Sequence, residues 1–376
     1  MIEPFYEAAN RWVRSIRKEP IETTWARFSC LGLTTFGGGV AMVYLFVLLV
    51  DPFDIIPFSL PIERPIVSIS QRYMYPMVIR SRRYDSFVVG TSTARLLDPE
   101  RLDDLFGTRF ANLSMDSMTA WEQQRVAQYF LSVIGPPKVL IVGLDLVWCQ
   151  QDADRARVTF RGFPGWLYGD DSWSAYLHLL NTATVEIAVR LVGYHLGVYP
   201  SRMRDDGYAV FTPPEDQYDL VRARSRIWGI RGPGIRPVVP AVELSAEQRA
   251  ALTFPALAWL DGLLEQLPPT TRTILAFMPV HVAGQPRPGS EEAAFEQVCK
   301  AEIVEIGRRR GAVVADWRIP SATTRDDANY WDSVHYRLPV ADHLAEQIAR
   351  AARGYGPDAE PTYRLLAGPD PSDRAR

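Results

Sequence analysis

Cysteine and histidine are scarce in this chain of 376 residues, which contains three cysteines and five histidines. Cys30, Cys149 and Cys299 form no Cys-x-x-Cys pair and have no metal-ligand spacing, so neither a disulfide framework nor a zinc site is indicated. Net charge is also small, because 41 basic residues face 44 acidic ones. We therefore do not expect nucleic acid as the main partner. A hydrophobic content of 47% excludes a wholly disordered or fibrous chain.

Charge is absent from residues 28–50, which are apolar or small. At a rise of about 1.5 Å per residue, a helix of this length spans a hydrocarbon core of about 30 Å. The run is longer than the apolar part of a secretory signal. A buried core helix is the alternative, although such helices rarely lack charge over this length. We predict a transmembrane helix at 28–50, preceded by a cytoplasmic segment at 1–27.

Basic residues lie on one side of this span only. Those before it are Arg11, Arg14, Arg17, Lys18 and Arg27. Asp51 and Asp54 follow the span before any basic residue. Because Lys and Arg stay on the cytoplasmic side, we predict a single-pass membrane protein. Its N-terminus is expected in the cytoplasm and its C-terminal domain on the other side of the membrane.

The sequence leaves two interpretations open for a run of three glycines in the apolar span, and two for the cysteines of the later domain. The run Gly37-Gly38-Gly39 either admits a closely packed partner helix or only thins the surface that faces lipid. It is not a phosphate loop, because it lies in an apolar span and lacks the Lys-Ser/Thr ending. Cys149 and Cys299 are either reduced and buried as small hydrophobic residues or paired with each other.

From residue 84 onward, aliphatic runs alternate with amphipathic stretches. The predicted strands are 86–90, 110–115, 138–145, 273–280 and 311–317. The predicted helices between them are 120–134, 291–310 and 339–353. This alternation predicts an α/β domain at 84–353, with a parallel sheet covered by helices on both faces. In such sheets, ligands bind outside the carboxyl ends of the strands.

Three segments fall outside this alternation. A Pro-rich stretch begins a stalk at 51–83, and a tail at 354–376 is expected to be flexible. Residues 148–269 form an insertion, with helices predicted at 174–191 and 246–267. The pair Ser245 and Gln248 has the capping-box pattern, and Pro255 is expected to kink or split the helix that follows. An insertion of this size usually builds a lid or a substrate wall.

Polar residues follow the predicted strands at three places. Gly90-Thr91-Ser92-Thr93 follows the first strand, where a Ser at a helix N-terminus has backbone N–H groups available to an oxyanion. Gly143-Leu144-Asp145 follows the third strand, and Asp332-Ser333-Val334-His335 precedes the last helix. Asp332 can contact one ring nitrogen of His335, whose other nitrogen then points at a Ser elsewhere. This is the arrangement of a hydrolytic triad.

The order of the motifs GTST, NLSMDS, GLD and DSVH resembles the SGNH (GDSL-type) hydrolase superfamily. A membrane-anchored bacterial branch, which includes proteins of alginate O-acetylation and teichoic acid D-alanylation, is similar to the segments VVGTSTARLLDPERLDDLFGTRFANLSMDSMTAWEQ and NYWDSVHYRLPVADHLAEQI. The resemblance covers about residues 84–353 apart from the insertion. It implies a three-layer α/β/α, flavodoxin-like fold. It also implies that Ser92 is the nucleophile, His335 the general base and Asp332 the orienting carboxylate.

The resemblance also implies where the oxyanion hole lies. The backbone N–H of Ser92 would be one donor, next to Gly90 and Thr91. The second donor of the family, usually a Gly, falls near Ser114, where this chain has no Gly. The third, usually an Asn, aligns with Asp145. Because an ionised carboxylate repels an oxyanion, Asp145 is expected either to be protonated or to orient a neighbour.

Other polar and aromatic residues have two interpretations each. His281 follows the fourth strand and is a candidate for substrate binding, or else a loop histidine near the entrance. The remaining histidines, expected in packing or on the surface, are His178, His195 and His343. An arginine-rich run either contacts an anionic polymer or is a solvated face, and comprises Arg222, Arg224, Arg226, Arg231 and Arg236. Three tryptophans either stack on sugar rings or anchor the core, namely Trp166, Trp173 and Trp228.

The resemblance implies an extracytoplasmic SGNH-type esterase or O-acyltransferase, with acetyl as the expected acyl group. It also implies that the membrane is the inner membrane of a bacterium and that the C-terminal domain lies in the periplasm. The implied substrate is a cell-envelope or exported polysaccharide, or another acylated envelope polymer. No metal and no organic cofactor are expected. A multi-pass membrane acyltransferase or an export complex is the implied partner. The alternative is a catalytically weak or inactive scaffold of a polysaccharide export or modification complex.

Overall fold

The computed structural model describes residues 21–169, 172–229, 240–357 and 361–368. Within these ranges the chain forms a sheet of six strands, in the order β2-β1-β3-β4-β5-β6. The strands are β1 (Ser86–Val89), β2 (Phe110–Asn112), β3 (Val139–Leu144), β4 (Arg272–Phe277), β5 (Val313–Asp316) and β6 (Arg364–Ala367). Strands β1 to β5 are parallel, and their order is that of flavodoxin-like, doubly wound sheets. The prediction of an α/β fold with a parallel sheet is confirmed.

Helices cover both faces of the sheet. In chain order they are α1 (Ile21–Val50), α2 (Gln71–Arg80), α3 (Pro99–Phe106), α4 (Ala120–Val133), α5 (Ser172–His178), α6 (Thr182–His195), α7 (Leu220–Trp228), α8 (Ala246–Ala251), α9 (Pro255–Glu265), α10 (Glu291–Arg310), α11 (Ala322–Arg325) and α12 (Leu338–Ala352). Helices α2, α4, α9 and α10 bury apolar side chains against one face. Helices α3 and α12 bury theirs against the other. Alternate residues of one strand serve the two cores, as Phe87 and Val88 of β1 do.

The insertion differs in detail from its predicted helices. The helix expected at 174–191 is interrupted before α6, because the side chain of Asn181 accepts a hydrogen bond from the N–H of Thr184 at 2.9 Å and so caps a new helix. Pro255 is the first residue of α9 and separates it from α8, as expected. The capping box of Ser245 and Gln248 is confirmed.

Cys149 and Cys299 form a disulfide across a separation of 150 residues. Cys149 lies just after β3, and Cys299 lies in the middle of α10. The bond therefore fixes the segment that follows Asp145 to the longest helix of the α/β domain. The sequence left the pairing open, because spacing alone does not place two cysteines side by side. Cys30 is unpaired and exposed on α1.

The region 51–83 packs against the domain rather than extending from it. Val47 and Val50 at the end of α1 share one apolar core with Phe53, Ile66 and Met74. The segment directly after α1 turns at Asp51, whose buried carboxylate accepts the N–H groups of residues 55 and 56 at 3.0 and 2.8 Å. Although Pro is frequent here, the interspersed aliphatic side chains bury enough surface to order the segment. Residues 24–50 of α1 are long and apolar enough to cross a membrane.

The tail was expected to be flexible, but part of it is a strand. β6 pairs antiparallel with β5, with Asp316 opposite Arg364 and Val314 opposite Ala367. The apolar residues of RLLA cover the otherwise open edge of the sheet, which outweighs the Gly- and Pro-rich composition around them. Residues 358–360 and 369–376 of the tail lie outside the described part of the chain.

Candidate active site

Three loops at the carboxyl end of the parallel strands bring the predicted site residues together. Ser92 follows β1, Asp145 follows β3, and the loop of residues 332–335 precedes α12. The first and last of these are 243 residues apart in sequence, yet the Oγ of Ser92 lies 3.0 Å from the Nε2 of His335. This is the sheet edge at which the strand pattern places ligands.

Ser92, His335 and Asp332 form a continuous chain of hydrogen bonds. The Nδ1 of His335 lies 2.8 Å from the Oδ2 of Asp332. With its proton on Nδ1, the imidazole donates to Asp332 and can accept the proton of Ser92 at Nε2. The second carboxylate oxygen of Asp332 accepts the backbone N–H groups of Val334 and His335, each at 2.8 Å. The carboxylate is therefore held by its own loop and in turn orients the ring.

The charge of Asp332 is stabilised by its partner. Burial alone would raise the pKa of the Asp332 carboxyl, but the hydrogen bond from His335 and the interaction with its charge outweigh burial and hold that pKa below its usual value. An ionised Asp332 stabilises the imidazolium that forms when His335 accepts a proton. The chain of three residues thus has the electrostatics that a serine nucleophile requires.

Ser92 lies in a turn and not at a helix N-terminus. The N–H of Ala94 bonds to the carbonyl of Thr91, and the N–H of Arg95 bonds to the carbonyl of Ser92, at 3.1 and 3.3 Å. Helix α3 begins only at Pro99, so the helix dipole that we expected at Ser92 is absent. Among the described residues, nothing accepts a hydrogen bond from the N–H of Ser92, which leaves it available to a substrate oxygen.

Gly90 has a steric role. A Cβ on Gly90 would come within 2.8 Å of the Cβ of Ala94 and 3.0 Å of the carbonyl oxygen of Gly143. A Cβ on Gly143 would lie 2.7 Å from the same Ala94 methyl. Both glycines are therefore needed for the turn that carries Ser92 to lie close to the end of β3.

Asp145 is hydrogen-bonded to the turn that carries Ser92. Its Oδ2 accepts hydrogen bonds from the hydroxyls of Thr91 and Thr93, the residues on either side of Ser92. Burial raises the pKa of Asp145, against the opposing effects of the Thr91 hydrogen bond and of Arg318, whose Nη1 lies 3.9 Å from Oδ1. The Oδ2 atom of Asp145 is thus occupied by the two threonine hydroxyls. The sequence predicts either a protonated Asp145 or one that orients a neighbour, and these contacts favour the second role.

A buried ion network continues behind Asp145. Arg318 lies 3.4 Å from Glu296, and Lys300 lies 3.0 Å from Glu296 and 2.8 Å from Asp316. All four side chains are buried or nearly so. Glu296 and Lys300 belong to α10, next to Cys299. The disulfide and the ion network therefore both connect α10 to the segment that contains Asp145 and Cys149.

Asn112 and Ser114 lie at the end of β2, near the position where the family resemblance places the second oxyanion donor. Ser114 is fully buried, and its N–H is already bonded to the side-chain oxygen of Asn112 at 3.0 Å. The amide of Asn112 donates to the carbonyls of residues 94, 95 and 97 at 3.0, 3.3 and 2.8 Å. Asn112 therefore ties the Ser92 turn to β2. Sequence analysis did not single it out, because its role depends on carbonyl groups of a distant loop.

The insertion supplies one wall of the site. The ring of Phe211 packs edge-to-face against the ring of His335, with centroids 5.3 Å apart. The buried guanidinium of Arg95 lies over the other side of Phe211 at 4.5 Å and pairs with Asp116 at 2.5 Å. Phe211 is therefore a residue of the insertion that lies against the His335 ring, whereas the predicted role of the insertion as a substrate wall stays a prediction.

His281 does not lie at the rim as expected. Its imidazole is fully buried, between the rings of Trp228 and Tyr330. Nδ1 accepts the N–H of Ala283 at 3.1 Å, and Nε2 lies 3.1 Å from Asp327. Burial lowers the pKa of His281, against the opposing effect of Asp327.

The side chain of His281 has no exposed surface, in contrast to the rim position that the sequence predicts. Its backbone N–H instead bonds to the carbonyl of Ser333 at 3.1 Å and so supports the loop that carries Asp332 and His335. The apolar run of β4 predicted the position of His281 at the strand end, but it did not show that α7 covers that end.

The remaining candidates lie apart from Ser92. His178 packs on Trp166, His195 bonds to the carbonyl of Glu63, and His343 is exposed. Trp228 donates to Asp327 at 2.9 Å, and Arg224 pairs with the same carboxylate. The exposed residues of the arginine run that the structure describes are Arg222, Arg224 and Arg226. Arg231, Arg236 and the basic residues before position 21 lie outside the described residues, as does the side chain of Trp173.

A large groove runs along α10, with a volume of about 1120 Å³. Arg318 and Lys300 line one end of it, but neither Ser92 nor His335 does. We therefore place the candidate site at the hydrogen-bonded residues and not in the groove. In the described ranges, no three His, Cys, Asp or Glu side chains are grouped to hold a metal ion.

Comparisons with known proteins give a distant structural likeness. No protein-family model matches the chain, and no curated protein matches it. Among solved structures, the chain is similar to a gut microbial diltiazem-metabolizing enzyme, with 10% sequence identity and a TM-score of 0.34. The match covers 73% of this chain and 48% of that enzyme, so it spans about half of the enzyme's length.

Proposed function

We propose that this protein is a membrane-anchored serine esterase or O-acyltransferase of the SGNH type. The observation that carries the proposal is the hydrogen-bonded chain of Ser92, His335 and Asp332, with distances of 3.0 and 2.8 Å. Ser92 attacks the acyl carbonyl, and His335 accepts its proton through Nε2. The acyl–oxygen bond of the donor then breaks, and His335 returns the proton to the departing alcohol.

The second half of the reaction decides between hydrolysis and transfer. The acyl-Ser92 ester is attacked by water in an esterase, or by a sugar hydroxyl in an acyltransferase. In either case His335 takes the proton of the attacking oxygen and returns it to Ser92 Oγ. The free N–H of Ser92 supports the oxyanion, whereas Asp145 supports only the turn.

We place the catalytic domain outside the cytoplasm, in the periplasm of a bacterium. Two independent features support this placement. Basic residues precede the apolar helix and acidic residues follow it. The disulfide between Cys149 and Cys299 is buried and joins distant segments, and such bonds persist in oxidising compartments. A phosphatase or fluorescent reporter fused after residue 353 tests the orientation, since only periplasmic export activates the former and only the cytoplasm preserves the latter.

The substrate assignment depends on the resemblance to proteins of alginate O-acetylation and teichoic acid D-alanylation. We propose an exported or envelope polysaccharide as the acceptor and acetyl as the group. A multi-pass membrane acyltransferase that delivers the acyl group is the proposed partner. The scaffold alternative is favoured by one observation, which is that the backbone N–H of Ser114 is already bonded to Asn112 and that the carboxylate of Asp145 accepts hydrogen bonds from the threonines beside Ser92.

The test uses the full-length protein in detergent, because α1 shares its core with the domain. We expect turnover of p-nitrophenyl acetate and a single adduct of a serine-directed phosphonate, mapped to Ser92 by mass spectrometry. Ser92→Ala and His335→Ala should abolish both, whereas His343→Ala and Ser245→Ala, at exposed positions, should change neither. A folded protein without adduct or turnover would support the scaffold.

A further inference from the structure

The turn between α5 and α6 lies beside the membrane-spanning candidate α1. The hydroxyl of Tyr44 on α1 donates to the carbonyl of Tyr176 on α5 at 2.9 Å. Helix α6 packs along the last turns of α1, where Val47 shares a core with Ile187 and Leu191. The position of the turn is therefore fixed relative to the apolar helix.

The depth of Tyr44 along α1 follows from helix geometry. Counted from Phe28, Tyr44 lies about 24 Å along a span of about 30 Å, which places it about 6 Å below the far boundary. Counted back from Val50 at the end of the helix, it lies about 9 Å deep. Helices that lie in a bilayer interface are immersed by about 5–10 Å, so Tyr176 and the turn after it are at that depth.

Two of the three exposed side chains of this turn are leucines, and the third is His178. Leu177 is 80% exposed and Leu180 is 45% exposed, whereas Leu179 between them is fully buried and anchors the turn. Residues 172–185 contain no Asp, Glu, Lys or Arg. Tyr44, Tyr176 and Trp166 also provide the aromatic side chains that are enriched at membrane interfaces.

We propose that the turn of residues 177–181 is a second membrane contact, inserted into the lipid interface beside α1. The occupant of this apolar surface is the bilayer itself, because the surface is continuous with α1 at a depth that lipid fills. The inference depends on the anchor role proposed for α1 but not on the chemistry proposed for Ser92. Insertion of the turn would hold the catalytic domain against the bilayer at two points instead of one.

The experiment measures lipid contact at single labelled positions. Full-length Cys30→Ser protein keeps the Cys149–Cys299 disulfide and accepts one new cysteine. Leu177→Cys carries an environment-sensitive fluorophore in phosphatidylcholine vesicles, with or without spin-labelled lipid. Val43→Cys on α1 is the positive control, and Tyr355→Cys, beyond α12 on the other face of the sheet, is the exposed negative control. Leu177 is sufficiently exposed that the label should not disturb the fold.

We expect the label at 177 to be quenched to a similar extent as the label at 43, and the label at 355 to be unaffected. Quenching at 43 but not at 177 would overturn the inference and leave the anchor intact. Absence of quenching at 43 would instead overturn the anchor proposal. A label at 177 that is unquenched in vesicles, with a photo-crosslinker at 177 that captures a polypeptide in native membranes, would assign the turn to a protein partner and overturn the lipid contact.

Discussion

The carboxylate of Asp145 accepts a hydrogen bond from the hydroxyl of Thr93 at 2.9 Å, across the gap between the loops after β3 and β1. Thr91 donates to the same oxygen, so both neighbours of Ser92 are attached to one carboxyl group. The residue that the family resemblance assigns to the oxyanion hole thus contacts both neighbours of Ser92, and we expect it to position the turn that carries Ser92. This relationship gives two predictions about Asp145.

The first concerns activity. Asp145→Ala leaves the two threonine hydroxyls without their acceptor, and a buried unpaired polar group costs about 1–3 kcal/mol. We expect kcat for p-nitrophenyl acetate to fall with little change in KM, because the turn loses its geometry and not its substrate contacts. Asp145→Asn retains an acceptor oxygen and should rescue most of the loss. An Asn variant as inactive as the Ala variant would contradict this role.

The second concerns the dependence of stability on pH. Because burial raises the pKa of Asp145, the native state binds this proton more tightly than the unfolded chain. The contribution of Asp145 to stability is then greatest below its unfolded pKa of about 3.9 and is lost as pH rises through the folded pKa. Asn does not titrate, so the stability of Asp145→Asn relative to wild type should increase from pH 4 to pH 7. Urea unfolding at both pH values measures this, and a constant difference would refute it.

Asp332→Asn tests the orientation of His335. The amide can present its N–H to Nδ1 and so favour the wrong tautomer, which lowers kcat by about 10⁴ in a serine protease with the same arrangement. We expect a loss of about 10³–10⁴ in kcat and a matching loss in the rate of phosphonate labelling. Asp326→Asn is the matched control, since that carboxylate caps residues 327–329 in the same connection. Equal losses in both variants would indicate a general disturbance of the loop.

Removal of the disulfide should destabilise the fold. A bond that closes a loop of 150 residues is expected to contribute about 2–5 kcal/mol, chiefly by restricting the unfolded chain. The double variant Cys149→Ala/Cys299→Ala should lower the free energy of unfolding by that amount, measured with urea. Cys30→Ala, at the exposed cysteine of α1, should leave it unchanged. A double variant as stable as wild type would mean that the bond does not form in the native protein.

Asn112→Ala should affect both stability and activity. Its amide serves three carbonyl groups of the loop after Ser92, of which that of Ala94 also accepts the N–H of Leu97. Loss of the amide costs about 1–3 kcal/mol for each buried carbonyl that is left unpaired. We expect a lower unfolding midpoint together with a reduced kcat. Asn329→Ala removes a side-chain bond to the carbonyl of Thr323 and is the control for a lost amide of this kind. Unchanged kinetics in Asn112→Ala would remove Asn112 from the support of Ser92.

Local sequence patterns were sufficient for the five parallel strands and for the contact within the loop of Asp332 and His335. The continuous aliphatic run of β3 predicts a strand buried on both faces, and the spacing of Asp332 and His335 predicts their contact. Patterns of this kind are local, so they depend on few other parts of the chain. The distance from Ser92 to His335 follows from the fold only because parallel strands place their carboxyl ends at one edge.

Features that depend on distant partners were missed or misplaced. The burial of His281 requires α7 from the insertion, and the pairing of Cys149 with Cys299 requires α10 to cross the end of β3. β6 is recognisable only beside the free edge of β5. The role of Asn112 depends on carbonyl groups whose direction the sequence does not encode locally. In each case the deciding interaction joins segments that are separated by many residues.

The junction between α1 and the domain has a consequence for how substrates are reached. Val47 and Val50 belong to the same core as α2 and α4, and the buried Asp51 fixes the turn that follows. A flexible linker would let the domain reorient freely about its anchor. At this packed junction, a tilt of α1 would instead tilt the whole domain. In the proposed membrane setting, Ser92 is held at a fixed distance from the bilayer. If the substrate is the proposed polysaccharide, its segments would be selected by their distance from the membrane in addition to their chemistry.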